Sequence, residues 1–153
     1  MSEEGNRLAV APIATLKHPR PMPLDPETFK AEAGNIRWRF HTTERLGQFD
    51  IAIPSDDDFN PDPAALAHLQ AALTRIDALY DAALREAEKG WAARYTATPR
   101  PRDDWSLVRL FADATGHLVL SLNESEIDTY NLWDVTLIND VPVQTVQRAW
   151  VAR

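Results

Sequence analysis

The chain has 153 residues, of which 44% are apolar and 25% charged, with a formal net charge of −7 and a pI near 5.0. That length fits one domain able to bury a core without staples. The absence of cysteine excludes disulfides, a thiolate nucleophile and any cysteine-based zinc site, and the acidity argues against nucleic acid, whose binding rests on Lys and Arg neutralising phosphates.

Residues 1–27 read as an extended, proline-containing segment, with 28–153 as a single α+β domain. Met1 to Asn6 is polar and acidic, and Leu8 to Leu16 is a short apolar run broken by Pro12. Neither matches a signal peptide, and no apolar run approaches a membrane span, so a cytoplasmic protein with no membrane partner is expected. The alternating prolines of Lys17-His18-Pro19-Arg20-Pro21-Met22-Pro23 favour extended chain, as a linker or a strap across the domain. Asp25-Pro26-Glu27 can start a short helical turn through Ala33; a strand is the alternative there. Gly34-Asn35 is a break.

Ile36, Trp38 and Phe40 alternate with Arg37, Arg39 and His41, the pattern of a half-buried strand. Phe49, Ile51 and Ile53 alternate again beyond a Gly47 turn, which predicts a β-hairpin. Asp56 to Pro61 is an acidic loop. It leads into a long amphipathic helix at about residues 62–90, with Leu66, Leu69, Leu73, Ile76, Leu79/Tyr80, Ala83/Leu84, Ala87 and Trp91 on one stripe. Asp62 suits the N-cap, Pro63 the first helical position and Gly90 the C′ position that ends the helix. Beyond the proline loop at 96–104, strands are expected at Ser106–Ala112, His117–Leu122, Leu132–Ile138 and Val141–Trp150. They form a four-stranded antiparallel meander with the helix packed on the sheet.

Chemistry-bearing motifs are incomplete. Asp56-x-Asp58-x-Asn60-x-Asp62 has the alternating oxygen ligands of a calcium loop, but Pro61 stands where a turn glycine is needed and Ala67 where a bidentate glutamate is needed. His18, His41, His68 and His117 form no ligand pair, and there is no nucleophile elbow or phosphate-binding glycine loop. No metal or cofactor is expected. Glu124, Glu126 and Asp128 have the spacing of countless surface loops. The tryptophans read mostly as core, with Trp105, after a proline loop and beside Asp103-Asp104, the one expected as an exposed anchor.

Acidic residues cluster in two stretches that hold no Lys or Arg, Asp50–Asp62 and Leu110–Gln147. Such a sector serves solubility in the simplest case, and complementarity to a basic partner in the more specific one.

The run Tyr130-Asn131-Leu132-Trp133-Asp134-Val135-Thr136-Leu137, followed by Asn139-Asp140 and ending at Trp150, resembles the strand–turn–strand ending of small bacterial immunity-type proteins. The order hairpin, long helix, meander resembles that group and related domains of unknown function associated with polymorphic or secretion-system toxins. The resemblance covers the last quarter of the chain and transfers no functional residue. It implies a non-enzymatic binding protein that occludes a cognate toxin with a basic surface. The interface residues expected on that reading are Asp56, Asp57, Asp58, Glu124, Glu126 and Asp128, with Trp105 as anchor. The alternatives are a small enzyme with a site built from His41, His117 and nearby carboxylates, or a structural homodimer through a sheet edge.

Overall fold

Among the described residues seven strands form one sheet in sequential order, β1 (Lys30–Glu32), β2 (Ile36–Thr43), β3 (Gly47–Pro54), β4 (Trp105–Ala112), β5 (Leu118–Glu124), β6 (Asn131–Ile138) and β7 (Val141–Ala149). The computed structural model describes residues 23–95, 105–124 and 131–149. Every neighbouring pair is antiparallel except β3 and β4, which run parallel. A parallel pair cannot be closed by a tight turn. Two helices, α1 (Pro63–Leu73) and α2 (Ile76–Tyr95), make the crossover. The expected hairpin and four-strand meander are thus halves of a single mixed sheet, extended at one edge by the short β1.

The single long helix expected at about 62–90 is two helices. Asp62 does cap the first, accepting from the Ala65 amide at 2.9 Å. The break follows from competition for one carbonyl. Ala71 O accepts from the Thr74 amide at 3.2 Å, the Thr74 hydroxyl at 2.7 Å and the Arg75 guanidinium at 2.8 Å. The ladder shortens to i→i+3 bonds there, and the chain restarts at Ile76. The junction is held from two sides. Arg75 makes a two-pronged ion pair with Asp140 in the β6–β7 turn, at 2.7 and 2.9 Å, while Arg45 at the β2–β3 tip reaches Asp81 at 2.5 Å and Asp77 at 3.7 Å. Those tips lie at diagonally opposite corners of the sheet; right-handed twist turns such corners toward one face.

Gly90 does not end a helix, since α2 continues to Tyr95. A Cβ there would lie 2.8 Å from Cζ3 of Trp133. The glycine lets the helix approach β6 rather than capping its C-terminus.

The core lies between helices and sheet. Ala65, Leu66, Leu69 and Ala72 of α1, and Leu79, Ala83, Leu84, Ala87 and Trp91 of α2, meet Ile51, Leu110, Leu120, Val135 and Leu137 of the sheet. Leu24 and Phe29 belong to this core as well, so the chain upstream of residue 28 contributes to it.

Two side-chain orientations depart from simple alternation. Arg39 pairs with Ile51, and Ile51 faces the helices, so Arg37, Arg39 and His41 share the helix side. The apolar residues Ile36, Trp38 and Phe40 therefore point to the opposite, helix-free face. In β4 a bulge between Leu107 and Arg109 shifts the register, so Leu107 and Leu110 both face the core and Arg109 joins Phe111 on the far face.

Candidate functional site

The loop from Ser55 to Asp62 joins β3 to α1 and is built by its own carboxylate. Asp56 Oδ1 accepts from the amides of Asp58 and Asn60, both at 2.9 Å. The Asp56 amide donates to Asn60 O at 2.7 Å and the Phe59 amide to Asp56 O at 3.0 Å. Pro61 bridges to Ser55, and the Asp62 amide donates to Pro54 O at 3.0 Å, so both ends are fastened to the end of β3. Arg37, from the helix side of β2, donates to Phe59 O.

This framework presents Phe59 to solvent at 63% exposure, between exposed Asp57, Asp58 and Asn60. Phe59 has φ +64°. A bulky L-residue in the left-handed region is strained by about 1–2 kcal/mol, and the surrounding bonds must hold it there. Phe59 is the feature that periodicity analysis passes over; its signal is an aromatic residue inside an otherwise polar Asp-Asp-Asp-Phe-Asn-Pro run.

The same end of the sheet carries the β4–β5 and β6–β7 turns. Asp113 Oδ1 accepts from the Thr115 amide, the Thr115 hydroxyl and the His117 amide, at 2.8–2.9 Å. Burial alone would raise the Asp113 pKa; the hydrogen bonds from Thr115 and His117 outweigh it and hold the carboxyl below its ordinary range. Gly116, at φ +91°, has the His68 ring of α1 lying over its open side. Asn139 and Asp140, at φ +51° and +65°, make the two-residue turn between β6 and β7. Asp56, Asp57, Asp58, Asp62, Asp113 and Asp140 therefore rim one end of the sheet.

The other expected interface residues lie elsewhere. Glu124 ends β5 opposite Trp105, at the far end of the sheet from the acidic loop. The length of β5 separates the two ends by about 20 Å. Glu124 is 1% exposed and accepts a hydrogen bond from the Trp91 indole at 3.0 Å. Trp105, expected as an exposed anchor, is 5% exposed and part of the core, because its position on the bulged strand faces the helices. Its indole nitrogen is buried without a hydrogen-bond partner. Glu126 and Asp128 lie outside the described residues; the chain leaves and rejoins the sheet at the Glu124 end.

His41 and His117 are not brought together. His41 packs edge-on against Phe49, with ring centroids 5.6 Å apart, toward the Gly47 end of β3. Burial, then the nearby Arg39 charge, lower its pKa, so the imidazole is neutral at pH 7. His117 sits at the other end, 3.7 Å from Asp113. Among the described residues no group of three or more His, Asp or Glu side chains is spaced to hold a metal ion. No helix among them is long and apolar enough to cross a membrane.

On the helix-free face, Arg109 binds Glu32 at 2.8 and 3.1 Å and Asp50 at 3.3 Å. Burial works against its charge, but the Glu32 and Asp50 carboxylates outweigh that and keep the guanidinium protonated. Farther along, Asp134 accepts from the Ser121 hydroxyl at 2.6 Å and from Arg148. These are satisfied ion-pair networks.

No family model matches the chain, and neither a curated protein nor a solved structure matches it.

Proposed function

We propose that this protein is a non-enzymatic binding module, and specifically an immunity protein that occludes a basic toxin through the acidic end of its sheet. One observation carries the reading: Phe59 stands 63% exposed, at positive φ, directly after Asp57 and Asp58 on a loop braced by Asp56 and Arg37. An aromatic anchor whose position is already fixed binds with little ordering cost, and the flanking charges steer a basic partner into register. The proposed contact set is Asp57, Asp58 and Phe59, with Asp56 as the brace. Glu124 and Trp105, buried at the other end, fall outside it.

The experiment is co-expression with the product of the adjacent gene. A neighbour that is toxic alone, with growth restored and a complex purified at low salt, supports the reading. Asp57→Lys together with Asp58→Lys should slow association, most strongly at low ionic strength. A harmless neighbour, or no complex at low salt, overturns the proposal.

A second reading, a homodimer through the β7 edge, is favoured by Val141, Val143 and Val146, which are exposed on the outermost strand. Sedimentation showing only monomer removes it.

A further inference from the structure

The β6–β7 corner lies at the same end of the sheet as the acidic loop and carries apolar side chains outside the contact set of Asp57, Asp58 and Phe59. Large apolar side chains are seldom exposed among the described residues, yet Phe59, Ile138 and Val141 all stand at this end, the last two 37% and 58% exposed. Ile138 and Val141 oppose one another and flank the Asn139-Asp140 turn. Ile138 follows core-facing Leu137, so the pair points to the helix-free side of the sheet's end, whereas the Phe59 loop leads to α1 on the helix side. The corner is fixed in place. Asp140, at φ +65°, is held by two nitrogens of Arg75, whose third nitrogen donates to Ala71 O. Four strand steps of about 4.8 Å put the corner roughly 19 Å from the end of β3. That separation fits within one partner footprint of about 800 Å².

We infer that Ile138 and Val141 are a second anchor for the same basic partner, which seats end-on and straddles the end of the sheet from one face to the other. The inference rests on the binding-module reading above. Charge selects the occupant. The corner adjoins Asp140, and the Asp113 turn and the exposed Asp57 and Asp58 complete the end that the partner would cover. A second copy would bring its own formal charge of −7 and its own acidic end into that field. Its most direct route in, backbone pairing along β7, is also blocked at this corner. Pro142 has no amide to donate, and the register passes from Pro142 opposite Leu137 to Gln144 opposite Thr136, which leaves Val143 as an extra residue. The corner therefore presents side chains rather than a strand edge. Two anchors already fixed in place bind with little ordering cost, so the apolar corner sets the lifetime of the complex while the flanking charges set the rate of arrival.

The test uses the full chain, with the product of the adjacent gene as probe, and reads association and dissociation rates at low and high salt. Val141→Thr keeps the β-branched shape and should speed dissociation at least threefold at both salt concentrations, with association unchanged. Val141→Lys should bind more weakly than Val141→Glu, and salt should narrow the gap, because only the lysine repels a basic surface. Val146→Thr, on the same strand but five residues farther from the turn, should bind as the parent does. The effects of Phe59→Ala and Val141→Thr should multiply to within about a factor of two, since anchors so far apart share no contact. Thermal midpoints matching the parent's show that each variant folds. A complex that forms normally and is indifferent to every Val141 variant overturns the second anchor and leaves the Phe59 loop standing, whereas a parent chain that forms no complex overturns both readings. An equal loss from Val146→Thr moves the contact along β7 and overturns the inference. Weaker binding by Val141→Glu than by Val141→Lys makes the surface at the corner acidic and overturns the choice of occupant. A parent that sediments as a dimer, broken by Val141→Lys, makes a second copy the occupant instead.

Discussion

Phe59 sets two demands against each other, stability and recognition. Glycine adopts φ +64° without the Cβ clash, so Phe59→Gly should leave chemical-denaturation stability unchanged or raise it by up to about 1 kcal/mol. The same change removes the anchor, and partner affinity should fall at least tenfold, about 1.4 kcal/mol. A variant that loses stability and keeps affinity would remove Phe59 from the interface. The titrating residues make a separate prediction. His41 has a lowered folded pKa, so the unfolded chain takes up its proton first and stability falls as pH drops through 6.5. Asp113 is also lowered, so its contribution is full above about pH 4 and is lost as pH falls through its folded value. Thermal midpoints measured from pH 8 to 3 should show both declines. His41→Gln should flatten the first, and Asp113→Asn the second.

At the scale of elements, composition located the segments better than their breaks and faces. The 3.6-residue stripe from Leu66 to Trp91 correctly marks helix, but nothing in Thr74-Arg75 resembles a conventional stop signal. The interruption comes from three donors converging on Ala71 O, with Arg75 held by Asp140, 65 residues away in sequence. Alternation in Ile36–Phe40 correctly marks a strand but not the side it presents, because the partner strand decides that. The bulge in β4 likewise leaves no mark in Leu107–Leu110, and it is what sends Trp105 inward. Gly90 is instructive in the same way, since a helix-ending glycine and a close-packing glycine look alike in sequence. Replacing it with alanine gains about 1 kcal/mol of helix propensity but forces a Cβ against Trp133 at 2.8 Å, which costs about 1–3 kcal/mol. Gly90→Ala should therefore lower the urea midpoint; an increase would mean that Trp133 moves freely aside.

For the whole molecule, the α+β class and the acidic character could be read from sequence, while the location of the acidity could not. Asp56–Asp58 and Glu124 look equivalent as charges in a list. The strand order puts them at opposite ends of the sheet, and one is a solvated loop while the other is a buried acceptor for Trp91. Separating them required the registers of β3, β4 and β5 together, which no local pattern contains.

The parallel pairing of β3 with β4 also has a kinetic meaning. Each of the other strand junctions closes a short loop. This one joins Asp50 to Arg109 across 59 residues, and only after both helices have formed a bridge. Loop-closure entropy places such a junction late in folding. Weakening it with Ile51→Val, a loss of about 0.5–1.5 kcal/mol, should appear almost wholly as faster unfolding, whereas Val135→Ala inside the meander should also slow refolding. A chevron analysis in which Ile51→Val slows refolding instead would place that seam in the folding nucleus. If the seam closes last, it is also the first to open, and the two antiparallel halves are the units into which the native sheet transiently divides.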